Sequence, residues 1–186
     1  MRIALFASGS GSNAENIIRY FENDDSFVFP IILSNKAEAF VHERAKKLQT
    51  PSITFSREDF LSGEVILSVL SHYNIDAIVL AGFLLKIPQV LINAFPNRII
   101  NIHPALLPKF GGKGMYGERV HEAVVEALEN ESGITIHYVN ENYDEGSIIF
   151  QAKCPVLPSD NAENVAQKVH ALEYEYFPKV IENLWK

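Results

Sequence analysis

The chain of 186 residues is 47% hydrophobic and 21% charged, with a formal net charge of -7 at pH 7. These proportions are typical of a globular protein, and the length fits one domain, which we expect to span residues 1–186. The acidic balance argues against a nucleic-acid surface, which would carry a basic stripe. The single cysteine excludes an internal disulfide and a cysteine-rich metal site.

No segment is suited to a membrane or to a signal peptide. The longest uncharged apolar run, Ala77 to Leu85, is far shorter than the ~20 residues that a membrane-spanning helix needs. The first apolar run, residues 3–7, is too short for the core of a signal peptide, and no cleavage pattern follows it. The sequence therefore predicts a soluble, cytoplasmic protein without a membrane partner.

Short apolar runs alternate with helical patterns as far as about residue 130. The apolar runs predict strands at residues 3–7, 27–33, 52–55, 76–80 and 98–102. Helices are predicted at residues 14–22, 37–48, 56–73, 90–95 and 118–130. Ser56 and Asp59 are expected to cap the third of these helices. This repeated order of strand and helix predicts a parallel, doubly wound sheet.

The pattern changes in the last third of the chain. Residues 134–139 and 147–153 have the character of strands and are joined by the polar turn 140–146, which predicts an antiparallel pair at the sheet edge. A long last helix is expected from residues 159–161 onward, with a kink at Pro178. The predicted fold class is α/β: one domain with a Rossmann-like, mainly parallel sheet, an antiparallel C-terminal strand pair and a long final helix.

The first predicted strand leads into a loop of glycine and serine at residues 8–13. Ser12 and Glu15 have the spacing of a capping box, which places the start of the next helix at the end of this loop. Free backbone N–H groups and the positive end of the helix would form an anion site there. The loop matches neither the dinucleotide-binding fingerprint nor a P-loop, and a tight turn without a ligand is the alternative.

Two other loops follow predicted strand ends. Residues 81–88 are unusually apolar, so they either pack under another element or line a pocket for a flat apolar ligand. Residues 106–117 contain four glycines and two lysines. That composition fits a mobile loop over a site and equally well a plain surface connection.

The tetrapeptide Asn-Ile-His-Pro, residues 101–104, ends the fifth predicted strand. Asn101 and His103 project to the same face because they lie two apart, and Pro104 ends the strand beside them. Ligands of open α/β sheets bind at this carboxyl end, where an amide and an imidazole could serve a reaction that develops negative charge on oxygen. Asp144, from the polar turn, could complete an acid–base pair with His103. Taken alone, these residues fit a turn cap, a hydrogen-bonded core histidine and a turn former better.

Several segments together resemble a known family. They are Ser-Gly-Ser-Gly-Ser-Asn at residues 8–13, Ser-Asn-Lys-Ala at 34–37, Val-Leu-Ala-Gly-Phe at 79–83, Asn-Ile-His-Pro-Ala-Leu-Leu-Pro-Lys at 101–109, Tyr-Asp-Glu-Gly at 143–146 and Ile-Phe-Gln-Ala at 149–152. In this order, over nearly the whole chain, they are similar to the folate-dependent phosphoribosylglycinamide formyltransferases of purine synthesis. The Asn-x-His-Pro-x-Leu-Leu-Pro core is shared with the wider formyl-tetrahydrofolate group, and the Ser-Gly-x-Gly-Ser-Asn loop singles out the glycinamide ribonucleotide enzymes.

The resemblance implies a formyltransferase fold and a reaction without a metal. In that reaction the amine of glycinamide ribonucleotide takes the formyl group of the co-substrate 10-formyltetrahydrofolate. The resemblance makes His103 the acid at the formyl oxygen and Asn101 a second donor there. It makes Asp144 the group that raises the pKa of His103 and helps to move the amine proton. Without such a carboxylate, an imidazole with a pKa of ~6.5 would be mostly neutral at pH 7.

The resemblance also implies binding residues for both substrates. Those for the phosphate and ribose of the ribonucleotide are Gly11, Ser12, Asn13, His170 and Glu173. Those for the folate are Leu84, Leu85, Lys86, Ile87 and Asn101. The chain departs from the family at Lys86, where many members carry arginine, and at Glu145, whose added charge is expected to raise local pKa values. Its loop at residues 111–117 is also longer and richer in glycine than is usual.

Other functions are weighed against this one. The resemblance says that a formyltetrahydrofolate deformylase usually has an extra N-terminal domain and a methionyl-tRNA formyltransferase a C-terminal RNA-binding domain. A non-catalytic nucleotide-binding module would not need Asn101, His103 and Asp144 together. A dinucleotide oxidoreductase would need a GxGxxG fingerprint after the first strand. We therefore predict an enzyme that acts on small molecules, with no nucleic-acid partner, either as a monomer or as a homodimer.

Overall fold

The computed structural model describes residues 1–186, and a seven-stranded sheet runs through its centre in the order β3-β2-β1-β4-β5-β6-β7. The strands are β1 Arg2–Phe6, β2 Val28–Ser34, β3 Ser52–Thr54, β4 Ala77–Leu80, β5 Ile99–His103, β6 Glu131–Tyr138 and β7 Ile148–Pro155. The helices are α1 Ser12–Tyr20, α2 Val41–Lys47, α3 Arg57–Ser62, α4 Glu64–His72, α5 Gln89–Ala94, α6 Glu118–Glu126 and α7 Ala162–Trp185.

The pairing of the strands confirms the predicted sheet. Strands β1 to β5 pair in parallel, whereas β6 pairs antiparallel with both β5 and β7. The strand β1 lies between β2 and β4, so the chain passes from one side of β1 to the other. Ligands of open α/β sheets bind outside the carboxyl ends of the strands at such a switch point.

Apolar side chains cover both faces of the sheet, as the apolar strands predict. Ile3 and Leu5 pack into a core cluster with residues of α1 and α7. Ala4 and Phe6 point to the opposite face and pack into a second cluster with residues of α3, α4 and α5. This alternation follows from the two-residue period of a strand, and it gives β1 a core on each side. None of the helices combines the length and the apolar character needed to cross a membrane.

The predicted capping box at α1 is wrong. The residue that precedes α1 is Gly11, at φ 71° and ψ 18°, and no side chain caps the helix. A Cβ atom on Gly11 would lie 2.3 Å from Cγ2 of Val41, so this close turn admits only glycine. Glu15 pairs instead with Arg19 and Arg44. The N–H of Ser12 donates to Oγ of Ser10 at 3.4 Å, but the next amides of α1, those of Asn13 and Ala14, have no side-chain partner, which is the condition for anion binding.

The predicted helix over residues 56–73 is two helices, α3 and α4. The capping box of Ser56 and Asp59 at the start of α3 is confirmed. The break falls at Gly63, which has φ 75°. A Cβ atom there would lie 2.2 Å from Cγ1 of Val90, the residue through which α5 approaches. The close packing of α5 therefore requires glycine at a position where the helical pattern of the sequence continues.

The last helix, α7, is a single element in spite of Pro178. Proline has no N–H, so the carbonyl of Tyr174, four residues earlier, loses its helical donor. The Nδ2 atom of Asn16 donates to this carbonyl at 3.0 Å. The helix begins after a capping box formed by Asn161 and Asn164. A side chain of α1 thus supplies the hydrogen bond that Pro178 cannot make.

The pairing of β5 with β6 brings polar side chains together. Asn101 is opposite His137, and His103 is opposite Thr135. Residues that are directly opposite project to the same face of a sheet, so these four side chains lie side by side. His103, Thr135 and His137 are 3%, 0% and 2% exposed, which means that their polar atoms must find partners inside the protein.

The hydroxyl of Thr135 ties the segment after His103 to the sheet. It donates to the carbonyl of Ala105 at 2.7 Å and accepts from the N–H of Leu107 at 3.0 Å. It also accepts from Nε2 of Gln151 at 2.8 Å, and that amide donates to the carbonyl of Leu107 at 3.0 Å. The network holds the residues after the Asn-Ile-His-Pro segment against β6 and β7.

Substitution of Thr135 tests this network. Thr135→Val keeps the shape of the side chain and removes the hydroxyl, so Ala105 and Leu107 lose this buried partner. We expect the free energy of unfolding in urea to fall by about 2–3 kcal/mol. The control Thr135→Ser keeps the hydroxyl, and loss of one methyl group should cost about 1 kcal/mol. Little or no loss in Thr135→Val, beside a larger loss in Thr135→Ser, would show that the methyl group, and not the hydroxyl, stabilises this region.

Candidate active site

A cavity of about 790 Å³ opens at the carboxyl ends of β1, β4 and β5. This volume lies within the range of about 300–1,000 Å³ that is usual for small-molecule sites. Its walls come from the loops after β1 and β4, the end of β5, the loop before α6, the hairpin turn between β6 and β7, and α7. Every residue predicted for the site lines it: Gly11, Ser12, Asn13, Leu84, Leu85, Lys86, Ile87, Asn101, His103, Asp144, His170 and Glu173.

Two imidazole rings and one carboxylate meet at the base of the cavity. Nδ1 of His103 lies 3.6 Å from Oδ2 of Asp144, and Nε2 of His137 lies 3.6 Å from Oδ1 of the same carboxylate. Asn101 donates from Nδ2 to Nε2 of His137 at 3.2 Å. The structure therefore brings Asn101, His103 and Asp144 together, and it adds His137 to them.

The start of the glycine-rich loop is bound to this group. The carbonyl of Phe110 lies 2.7 Å from Nε2 of His103, and the N–H of Gly112 donates to Oδ2 of Asp144 at 2.9 Å. A carbonyl can only accept, so Nε2 of His103 carries a hydrogen and Nδ1 is the nitrogen that faces Asp144. Gly111, between the two contacts, has no room for a side chain, because a Cβ atom would lie 2.5 Å from Cδ2 of Leu107. This end of the loop is therefore part of the site.

Burial decides the protonation of His103 in the free protein. It lowers the pKa of His103 below the ordinary value of an imidazole, although the charge of Asp144 acts in the opposite direction. The predicted effect of Asp144, which is to raise the pKa of His103, is therefore present, but in the free protein burial outweighs it. The sequence shows that a carboxylate is available, but the near-complete burial of the ring has the larger effect.

The carboxylate of Asp144 is stabilised in its charged form. Burial alone would raise its pKa, but His137, His103 and the N–H of Gly112 together hold that pKa below the usual range of an aspartate. Glu145, which was expected to raise local pKa values, is not among the groups that shift the pKa of Asp144. Glu145 is exposed, so water screens its charge. Asp144 is thus a carboxylate held close to a neutral imidazole.

A second polar group lies where α1, α6 and α7 meet the cavity. Oε2 of Glu173 accepts from Nδ2 of Asn13 at 2.9 Å and lies 2.8 Å from Nδ1 of His170. The hydrogen bond to Glu173 raises the pKa of His170. Two buried atoms at this end have no partner in the protein: Oδ1 of Asn13 and Nδ1 of His121. Buried polar atoms are seldom left unpaired, so these two mark a place where a polar ligand fits.

The apolar loop after β4 is both packed and part of the cavity wall. Ile87 is 4% exposed and belongs to the core on the α3–α5 side of the sheet, whereas Leu84 and Lys86 are exposed. The N–H of Leu84 donates to Oγ of Ser8 at 2.9 Å, and that hydroxyl donates to Asn35 at 2.7 Å. The loop therefore both packs against the core and lines the pocket, which were the two alternatives predicted for it. Ser8, from the loop after β1, holds this mainly apolar side of the cavity in place.

Sequence reasoning missed His121 and His137. His137 is one of two polar residues, with Thr135, that alternate with isoleucines in the run 134–139, and this spacing could have marked both as members of one face. His121 follows Val120 on α6 and gives no such signal, because its position at the cavity depends on how α6 packs against α7. Both rings are nearly completely buried.

Known proteins are similar to this chain in sequence and in structure. The family described as Formyl transferase matches residues 1–181, so the chain belongs to the formyl transferase family. It is 41% identical, over 97% of its length, to the chloroplastic phosphoribosylglycinamide formyltransferase of Arabidopsis thaliana and spans 64% of that protein. It is 37% identical, over 97% of its length, to the phosphoribosylglycinamide formyltransferase of Haemophilus influenzae and spans 85% of that protein. The solved glycinamide ribonucleotide transformylase 1 of Geobacillus kaustophilus has a TM-score of 0.90 at 34% identity, covering 100% of this chain and 98% of that one.

The electrostatic effect of Asp144 on His103 can be tested by titration. Asp144→Asn removes the charge that favours the protonated ring, so the pKa of His103 should fall further below its value in the unsubstituted protein. Histidine-selective NMR as a function of pH measures this pKa. Glu145→Gln, a change of one exposed carboxylate in the same turn, is the control and should leave the pKa of His103 unchanged. An unchanged or higher pKa in Asp144→Asn would contradict the arrangement of charges described here.

Proposed function

We propose that this protein transfers the formyl group of 10-formyltetrahydrofolate to the amine of glycinamide ribonucleotide. The observation that carries the proposal is the placement of Asn101, His103 and Asp144 between two unlike ends of one cavity. One end offers uncapped helix amides and unpaired polar atoms, and the other is mainly apolar. The relatives named as phosphoribosylglycinamide formyltransferases support the same activity.

The polar end fits a phosphorylated ribose. The first amides of α1, after Gly11, can donate to phosphate oxygens, and the helix dipole favours negative charge at this position. The hydrogen bond to Glu173 raises the pKa of His170, which favours the positively charged form of this ring beside a phosphate. The carboxylate of Glu173 and the unpaired Oδ1 of Asn13 can accept hydrogen bonds from ribose hydroxyls. These groups would hold the ribonucleotide with its amine toward Asn101 and His103.

The apolar end fits a pterin ring. Leu84, Leu85 and Ile87 line the cavity with apolar side chains. Lys86 is exposed and can meet a negatively charged part of the folate as a point charge. The bound folate supplies the formyl carbon that the amine attacks. Asn101, at the end of β5, would then stand at the junction between the two substrates.

The side chains at the base of the cavity would have separate roles in the reaction. A new bond joins the amine nitrogen to the formyl carbon, the bond from that carbon to the folate nitrogen breaks, and one proton passes from the amine to the folate nitrogen. Asn101 donates an N–H to the formyl oxygen as negative charge develops there. Asp144 is ionised at neutral pH and can accept the amine proton. His103 exchanges a proton through Nδ1, since Nε2 is bound to the carbonyl of Phe110.

Negative charge on the formyl oxygen changes the protonation equilibrium of His103. In the free protein burial keeps the pKa of this ring low. Negative charge that develops beside the ring during the reaction favours the imidazolium, as the charge of Asp144 already does. His103 would therefore be neutral before the reaction, take up on Nδ1 the amine proton that Asp144 accepts, and release that proton toward the folate nitrogen. The cytoplasmic location and the choice between monomer and homodimer stay predictions from the sequence.

Activity measurements test the proposal directly. We expect formation of tetrahydrofolate, followed spectrophotometrically, only when 10-formyltetrahydrofolate and glycinamide ribonucleotide are both present. His103→Ala and Asn101→Ala should each lower kcat by about 10²–10³-fold, because each removes a group that stabilises charge on the formyl oxygen. His72→Ala, a change of an exposed histidine on α4, is the matched control and should keep full activity.

Two other outcomes would reject the proposed transfer. Equal turnover without the ribonucleotide would identify water as the acceptor and the protein as a formyltetrahydrofolate deformylase. Binding of the ribonucleotide without any turnover would identify a non-catalytic nucleotide-binding module.

A further inference from the structure

His137 uses both of its ring nitrogens inside the protein. Nδ1 lies 2.8 Å from the carbonyl of Tyr138, and Nε2 lies 3.2 Å from Nδ2 of Asn101. A carbonyl only accepts, so Nδ1 carries the hydrogen. In a neutral imidazole the other nitrogen then has a free lone pair, which suits the N–H of Asn101. The contact with Tyr138 therefore places a hydrogen on Nδ1 of His137, and the contact with Asn101 uses Nε2 as an acceptor.

This state of His137 selects one orientation of the Asn101 amide. A side-chain amide can turn over and exchange its oxygen and nitrogen, at little cost where nothing distinguishes the two. Here the turned amide would place Oδ1 against the lone pair of Nε2, so the orientation with Nδ2 toward His137 is favoured. The same nitrogen has a second N–H. Asn101 lines the cavity, and this second N–H is the donor that the formyl oxygen would need.

Asp144 competes for the same ring nitrogen. Its Oδ1 lies 3.6 Å from Nε2 of His137, whereas its Oδ2 accepts from Gly112 and lies 3.6 Å from Nδ1 of His103. A protonated His137 would donate to Asp144 and would no longer accept from Asn101. The ionisable groups that face His137 are thus Asp144, from the hairpin turn, and His103, from β5. When Nε2 of His137 accepts from Asn101, it does not donate to Asp144. The charge of Asp144 then acts on His103.

The surroundings of His137 hold the ring in this position. The residue is 2% exposed and lies opposite Asn101 in the pairing of β6 with β5. Gly146, at the end of the turn that carries Asp144, lies against it. A Cβ atom on Gly146 would be 1.7 Å from the carbonyl of Tyr138 and 3.5 Å from Nδ1 of His137. The ring is enclosed between the strand and the turn, so it cannot turn away from Asn101 without a shift of the backbone.

We propose that His137 is a positioning residue for formyl transfer, which acts by accepting a hydrogen bond from Asn101 and so aims the amide of Asn101 at the formyl oxygen. This inference rests on the proposed function, because it assigns to His137 a part in that reaction. It requires that His137 acts through Asn101 and that it does not itself touch the substrates.

Two amide substitutions separate the nitrogens of His137. Gln places its side-chain oxygen near the position of Nε2, where it can accept from Asn101, whereas Asn reaches only the position of Nδ1. His137→Asn should lower kcat by about tenfold to a hundredfold, less than the ~10²–10³-fold that follows outright loss of an oxyanion donor. His137→Gln should recover most of that loss. In either variant KM for both substrates should change by less than about threefold, since neither change removes a contact that binds the substrates before the reaction.

A double-mutant cycle tests whether His137 acts through Asn101. In the Asn101→Ala background there is no amide to orient, so the further change His137→Asn should lower kcat by less than about threefold. A full tenfold to hundredfold loss in that background would overturn the inference, because His137 would then act through Asp144 or on the substrates directly. Equal losses of kcat in His137→Gln and His137→Asn would overturn it as well. Urea unfolding of each variant shows whether the comparison is made on folded protein.

A measurement on the unsubstituted protein does not depend on how the variants fold. The ¹⁵N chemical shifts of labelled histidine report which ring nitrogen carries hydrogen. At pH 7 we expect His137 with a protonated Nδ1 and an unprotonated Nε2, and the reverse tautomer or a doubly protonated ring would contradict the inference. If the unsubstituted protein shows no formyl transfer, the proposed function fails. If it is active and His137→Gln is as slow as His137→Asn, only the role of His137 fails.

Discussion

The antiparallel pairing of β5 with β6 is the constraint on which the rest of the site depends. It places His137 opposite Asn101 and Thr135 opposite His103, so that two strands contribute to one polar face at the end of the sheet. The hairpin turn that follows β6 then brings Asp144 to 3.6 Å from both imidazole rings. A shift of the register by one residue would turn Thr135 and His137 to the opposite face. The buried network around Thr135 opposes such a shift, because its hydroxyl on β6 binds the backbone of Ala105 and Leu107, in the segment that follows β5.

The two polar groups of the cavity, one at its base and one at its polar end, each combine a largely buried carboxylate with imidazole rings. Asp144 lies between His103 and His137, and Glu173 lies beside His170. The pKa values of the two histidines shift in opposite directions. Burial has the larger effect at His103 and lowers its pKa. At the half-exposed His170 the direct hydrogen bond to Glu173 has the larger effect and raises the pKa. A protein with a net charge of -7 can thus offer, at one end of a cavity, free helix amides and a histidine whose pKa is raised. The local donors, and not the overall field, would hold a phosphate there.

Features that depend on short stretches of sequence could be predicted, and those that depend on packing could not. The strand ends and the common face of Asn101 and His103 follow from apolar runs and a period of two. Residue types alone suggest a pair of Asp144 with His103, but only the resemblance to a family assigns the two a shared role, because no spacing rule relates residues this far apart in the chain. The break at Gly63 and the uncapped start of α1 reflect close contacts with Val90 and Val41. The low pKa of His103 and the roles of the rings on β6 and α6 depend on burial, which only the folded chain reveals.

The structure of a complex with glycinamide ribonucleotide and a formyl-folate analogue that cannot transfer its formyl group would test the central claim most directly. We predict that the phosphate lies on the amides that follow Gly11 and that the pterin lies against Leu84 to Ile87. The amine nitrogen should then lie about 3–3.5 Å from the formyl carbon, which is the separation of reactants that are ready to combine. The formyl oxygen should be within hydrogen-bond distance of Nδ2 of Asn101. Binding of either substrate outside this cavity, or a formyl oxygen remote from both Asn101 and His103, would contradict the account.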